Sequence, residues 1–275
     1  MKPKHFNSHH HWYVSMLDHM IVQSGPSAKE MLYTYDTLLH RFAARLSKAE
    51  AQAMAVMDGC LAVIPSSLNK ISSTYTPEFL GLSSSGLWSR YSTYGKDIIV
   101  GMIDTGIWPE SKSFKDEGLG PAPTGWKGTC ESGRGCDSSN CNGKIIGARY
   151  FSKGYEAQNP TLIKETLEYK SPRDNDEHGT HTAPTVADAA LSGISYFGFA
   201  NGTARGMGPQ ARLAICKACW EDGCYDTVTV AAMEQAIADG VDIISISIGS
   251  RDMAFCYDNR AIAAFGAIEK GVFEL

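Results

Sequence analysis

Asp104 and His178 stand 74 positions apart, and together they are the residues of this chain best suited to acid–base chemistry. Ile98 to Ile103 is a short run of mostly β-branched apolar residues, which predicts a buried strand, and Asp104-Thr105-Gly106 falls where that strand leaves its sheet. Open α/β sheets place reactive side chains at such strand ends. Asp176-Glu177 leads into His178, and Thr180-His181-Thr182-Ala183 then begins a small-residue helix with His178 at its N-terminus. An aspartate beside a histidine makes half of a charge relay. The carboxylate fixes the imidazole tautomer and stabilises the imidazolium, and the second ring nitrogen takes a proton from a hydroxyl. Singly, each residue has a plainer role, Asp104 as a turn former and His178 as a helix cap. Asp104-Thr105-Gly106 is also the triplet of aspartic proteases, but that chemistry needs two such aspartates sharing a proton and leaves His178 unexplained.

The elements that must hold this pair follow from the pattern around it. Ala211 to Cys219 predicts a strand, Thr227 to Ala238 a helix capped by Asp226, Val241 to Ile248 a buried strand, and Asn259 to Lys270 a helix. Strand and helix alternating at these lengths imply an α/β unit, a parallel sheet with helices on both faces. Ahead of it, His11 to Leu17 predicts a short helix and Leu32 to Leu46 a strand or hairpin. Ser47-Lys48-Ala49-Glu50 matches a capping box, Gly59 a helix stop, and Cys60 to Ile64 a returning strand.

Composition narrows the possible functions. With 275 residues, 43% hydrophobic and 20% charged, the chain is ordinary globular material with enough apolar content for a sizeable core. A net charge of −5 and a pI near 5.9 offer no basic stripe for phosphates, so no nucleic-acid partner is expected. No apolar run approaches the roughly 18 residues of a membrane span, so no membrane partner is expected either. Cys216, Cys219 and Cys224 form one cluster, whose spacing could suggest zinc or a redox pair, and Cys130, Cys136 and Cys141 form another group. The absence of a histidine or fourth cysteine at finger spacing speaks against zinc, and His9-His10-His11 is read as a solvated chain start, so no metal and no cofactor are expected. Asn201-Gly202-Thr203 is a glycosylation sequon.

Val100-Gly101-Met102-Ile103-Asp104-Thr105-Gly106-Ile107-Trp108-Pro109-Glu110-Ser111 and Asp176-Glu177-His178-Gly179-Thr180-His181-Thr182-Ala183 resemble the Asp and His boxes of the subtilisin-like serine proteases. The Trp-Pro-Glu-Ser extension points to the plant branch of that family. The resemblance continues through Gly202-Thr203-Ala204-Arg205-Gly206-Met207 and Gly240-Val241-Asp242-Ile243-Ile244-Ser245-Ile246-Ser247-Ile248-Gly249 and covers essentially the whole chain. It implies a serine endopeptidase acting on peptide or protein substrates, with Asp104 as orienting acid and His178 as general base. It also implies that Ser247 and Gly249 belong to a segment pairing with substrate backbone, and that Cys130 with Cys141 and Cys219 with Cys224 are disulfides.

By the same resemblance, residues 1–72 are expected to form a small ferredoxin-like α+β prodomain of inhibitor type, lacking its usual first strand. Residues 73–275 are expected to form a truncated subtilisin-like peptidase domain, with the mature end at Ser73. The resemblance implies a third box, Gly-Thr-Ser-Met-Ala, bearing the nucleophile, and an asparagine for the oxyanion hole. Neither occurs here; Gly128-Thr129-Cys130 and Gly202-Thr203-Ala204 imitate its start at the wrong place in the Asp, His, Ser order. In subtilisin itself, loss of the serine lowers turnover about 2 × 10⁶-fold, or about 8.6 kcal/mol of barrier. The expectation is an uncut polypeptide that is inactive alone, the product of a trimmed gene model, an alternative transcript or a pseudogene. A second expectation is that its prodomain acts in trans on an intact subtilase as an inhibitor or folding aid. Members of the family are usually secreted, whereas Met1 to Ser8 lacks the apolar core of a signal peptide. Pro184, where the family usually has serine, and Asp188, where it usually has glycine, depart from the His-box pattern.

Overall fold

The computed structural model describes residues 6–24, 30–66, 68–71, 93–158, 168–249 and 254–275. Its centre is a five-stranded parallel sheet in the order β12-β10-β4-β8-β5. These strands are β4 (Ile99–Asp104), β5 (Ile145–Tyr150), β8 (Arg212–Lys217), β10 (Ile243–Ile246) and β12 (Phe273–Glu274). All residues of β4 and β8 are buried, as befits strands covered on both faces.

The period of two along those strands sorts their side chains into two cores. Val100, Met102, Leu213 and Ile215 pack with Ala183 and Ala187 of helix α4 (His178–Ala187) on one face. Ile99, Ile103, Ala214 and Cys216 pack on the other with Val228, Ala232, Met233 and Ala236 of α5 (Asp226–Asp239) and Ala263 and Ala267 of α6 (Asn259–Glu269). A shorter helix, α3 (Lys153–Gln158), follows β5 and adds Tyr155 to the second core. The site pair is thereby divided between the centre of the sheet and the helix lying on its first face.

The N-terminal unit consists of α1 (His9–Ser24), an antiparallel hairpin of β1 (Glu30–Tyr35) and β2 (Arg41–Arg45), and α2 (Lys48–Ala55). Ser47 and Glu50 cap α2 reciprocally, the side chain of each accepting from the backbone of the other. Met16, Leu17 and Met54 form a small separate core. The hairpin also faces the larger unit: Leu32, Tyr35, Leu38 and Ala43 enter the core of α5 and α6. There the Glu234 carboxylate accepts from the backbone N–H groups of Asp36 and Leu38 at 2.7 Å each, and from that of Thr37.

Several elements differ from expectation. The first helix extends well beyond His11 to Leu17, and α2 ends at Ala55, before Gly59. Cys60 to Ile64 forms no strand, because no neighbouring strand is there to pair with it among the described residues, and Leu61 is fully exposed. Instead β3 (Leu68–Ile71) lies antiparallel between β11 (Ile248–Gly249) and β9 (Cys224–Tyr225). The predicted single strand Val241 to Ile248 therefore breaks at Ser247: β10 pairs with β4, and β11 turns away to pair with β3. Asp226 is the first residue of α5 rather than its cap, which is Tyr225. A further hairpin, β6 (Leu191–Tyr196) with β7 (Phe199–Ala204), carries Asn201, which is exposed. The expected mature end at Ser73 and the cleavage point after Ser72 lie outside the described residues.

Candidate active site

Asp104 ends the central strand β4 and is 2% exposed. Its Oδ1 accepts from the Thr105 backbone N–H at 2.7 Å and lies 2.7 Å from His178 Nδ1, while its Oδ2 accepts from the Thr182 hydroxyl at 2.8 Å. His178 is the first residue of α4, so its ring stands beside the strand end at the helix N-terminus. With Nδ1 donating to a carboxylate, the proton sits on Nδ1, and Nε2 is the basic nitrogen.

Close backbone approach makes this geometry possible. Gly179 follows the histidine, and a Cβ there would stand 2.3 Å from the Gly106 carbonyl oxygen. Gly106 itself has φ +121°, and a Cβ on it would meet the Pro172 carbonyl oxygen at 2.6 Å. Thr105 Oγ1 accepts from the Gly179 N–H at 2.8 Å, a second tie between strand end and helix start.

Asp174 supplies the helix N-terminus with its acceptors. Oδ1 takes the N–H groups of Asp176 and Glu177 at 3.1 Å each, and Oδ2 takes the Thr180 N–H at 2.8 Å and its hydroxyl. Glu177, directly before the histidine, is held at φ +79°, an unusual conformation for a residue with a Cβ. The loop carrying Asp174 is fixed in turn by the Trp-Pro-Glu-Ser segment. Glu110 forms an ion pair with Arg173, with Nη1 to Oε2 at 3.0 Å, and the Arg173 guanidinium lies 4.5 Å from the centre of the Trp108 ring. That hydrogen bond holds the Glu110 carboxyl below the usual carboxylate range and raises Arg173.

Ser247 lies at the break between β10 and β11, and Gly249 pairs with Lys70 in β3. On the other side of β3, Asn69 pairs with Cys224 and Leu68 with Tyr225. An extended segment thus occupies a slot between β9 and β11. Cys224 of β9 is disulfide-bonded to Cys219, and Cys130 is bonded to Cys141. Cys60, Cys136, Cys216 and Cys256 are free thiols. The two serine-box imitations sit elsewhere, Gly128-Thr129-Cys130 ending in a bonded cysteine and Gly202-Thr203-Ala204 on β7. Pro184 lies inside α4, and Asp188 caps its end, buried, with a carboxyl raised by that burial.

Sequence reasoning missed Asp174, Thr182, Thr105 and strand β9. The acidic run Asp174-Asn175-Asp176-Glu177 before a helix carried the signal for the cap, and β9 carried none, being two residues long.

Residues 95–273 match the Subtilase family, and residues 1–72 match Peptidase inhibitor I9. The chain is 48% identical over 275 residues to subtilisin-like protease SBT1.4 of Arabidopsis thaliana, covering 98% of this chain and 35% of that protein. Identity is 46% to SBT1.3 of the same plant, over 98% of this chain and 35% of the relative. To subtilisin-like protease SBT3 of Solanum lycopersicum it is 44%, over 99% and 36%. The chain thus spans about a third of the length of these curated relatives. The structure resembles the crystal structure of the epidermin leader peptide processing serine protease of Staphylococcus aureus, with a TM-score of 0.54 and 14% identity over 95% of this chain and 56% of that one. At that identity the likeness concerns the fold alone. Taken with the parallel sheet and the inhibitor-type N-terminal unit, the match over most of the chain places it in the subtilase family.

Proposed function

We propose that Asp104 and His178 are the orienting acid and general base of a subtilisin-type serine endopeptidase. The observation that carries this reading is the 2.7 Å contact between His178 Nδ1 and Asp104 Oδ1 at the end of the central strand. Asp104 accepts three hydrogen bonds there, which orient it; His178 Nε2 then takes the proton of an attacking hydroxyl and returns it to the leaving amine. The slot between β9 and β11, with Ser247 and Gly249 on one wall, is where an extended peptide substrate would add its backbone to both strands. A low-field proton NMR signal from His178 Nδ1–H, abolished in Asp104→Asn, tests the pair. Its absence from the unsubstituted chain would sink the reading.

The serine and the oxyanion asparagine of the family are not among these 275 residues, so the polypeptide by itself is expected to cleave no peptide and to remain uncut at Ser72. Without the hydroxyl, the relay has no proton to accept; an oxyanion donor alone is worth about 10²–10³ in turnover.

A second reading, that residues 1–72 inhibit an intact subtilase in trans, is favoured by the seat of β3 in that slot and by the grip of Glu234 on the hairpin amides. Titrating that segment against an active plant subtilase tests it. Inhibition that saturates supports the role, and undiminished activity at excess segment removes it.

A further inference from the structure

Lys217 ends strand β8, in register with Asp104, and its side chain is 1% exposed. Its ammonium donates to Glu168 Oε1 at 2.7 Å, to the Arg173 carbonyl at 2.8 Å and to the Tyr169 carbonyl at 3.3 Å, and lies 4.7 Å from the centre of the Trp220 ring. Three donors thus meet three acceptors on one loop, the loop that ends in Asp174 and holds the start of α4. The backbone just past Lys217 is tied to the other half of the site: the N–H groups of Ala218 and Cys219 both donate to the Asp104 carbonyl, at 2.9 and 3.1 Å. Lys217 therefore joins the strand that carries the aspartate to the loop that aims the histidine.

Resting on the reading above, we propose that Lys217, with Glu168 as its counter-ion, is a positioning residue for the Asp104–His178 pair. The ammonium sets the height of residues 168–173 over the sheet, hence the placement of Asp174, and hence the direction in which the first turn of α4 presents His178. An apolar residue would fill the same space without gripping the two carbonyls. Burial lowers the pKa of Lys217, and the Glu168 carboxylate counters that effect, so the ion pair is held out of water rather than solvated at a surface. The effect on the imidazole runs through the loop, from the Lys217 ammonium on the Arg173 carbonyl to Asp174 and the first turn of α4.

The test uses the whole chain and the exchange of the His178 Nδ1 proton with water, read from its low-field signal. Lys217→Met alone strands the Glu168 charge, so the variant of choice is Lys217→Met with Glu168→Gln. In that folded double variant the signal is expected to exchange about tenfold faster or to vanish, at a temperature well below its unfolding midpoint. An unchanged signal overturns the proposal, because a merely structural ion pair would leave it in place. Should the double variant not fold, Lys217→Arg keeps the charge but cannot set one ammonium on three acceptors. Faster exchange is again expected, and wild-type exchange again overturns the role. Asp104→Asn separates the two ideas: a signal that survives in it defeats the Asp–His reading itself, whereas a signal lost there and unmoved by Lys217 variants defeats only the positioning role.

Discussion

The Thr182 hydroxyl donates to the Asp104 oxygen that His178 does not use, at 2.8 Å, from one turn further along the same helix. Helix α4 thus holds the carboxylate by two side chains four residues apart, on one face, and fixes its plane as well as its position.

Thr182→Val keeps the side-chain shape and removes that donor to a buried, charged acceptor. The expected cost is about 1.5–3 kcal/mol of unfolding free energy, measured by urea denaturation. A change close to zero would mean that Asp104 finds a replacement partner.

Glu234→Ala removes a carboxylate shared by the amides of Asp36, Thr37 and Leu38. A loss of about 2 kcal/mol is expected, together with faster hydrogen exchange at the buried Leu38. Unaltered exchange at Leu38 would show that the hairpin does not depend on α5.

Legibility followed range. β4 and α4 were readable because an apolar run, a turn triplet and a small-residue helix are local signals, and so was the Ser47 capping box. Val241 to Ile248 reads as one strand because apolar residues recur along it up to Ile248, while the break at Ser247 is imposed by a change of partner from β4 to β3. Cys60 to Ile64 has strand composition but no ladder, since composition cannot supply a neighbour. Asp174, Thr182 and Lys217 act across loops and between elements, at distances in sequence that no periodicity reports.

Lys144 is fully buried and donates to the carbonyls of Pro209 and Ala211 at 2.8 Å each; burial lowers its pKa to about 8. Between that value and 10.5 the unfolded chain binds the extra proton, so this group makes stability rise with pH across the window. Urea midpoints from pH 8 to 9 are expected to climb in the unsubstituted chain and to flatten in Lys144→Met. Above pH 9 the effect is opposed by Cys216, whose burial pushes its pKa up from 9.0 to about 12, and above pH 10 also by Tyr33, whose burial pushes its pKa up to about 12.

Pro184 lies inside α4, where it removes the backbone donor to the Thr180 carbonyl four residues back. Pro184→Ser restores that donor and relieves a penalty of up to about 3 kcal/mol. The thermal midpoint is expected to rise by about 2 °C or more, and an unmoved midpoint would mean that the turn has already relaxed around the proline.

The central proposal, that His178 is a proton acceptor held by Asp104 for a nucleophilic hydroxyl and that the polypeptide alone does not cleave peptides, is tested most directly by a fluorophosphonate probe. Purified chain is incubated with the probe, with casein digestion followed in parallel and labelled peptides mapped by mass spectrometry. The account predicts no labelled serine and no digestion. A serine labelled at a rate that falls in His178→Ala would contradict it, because the chain would then hold its own nucleophile.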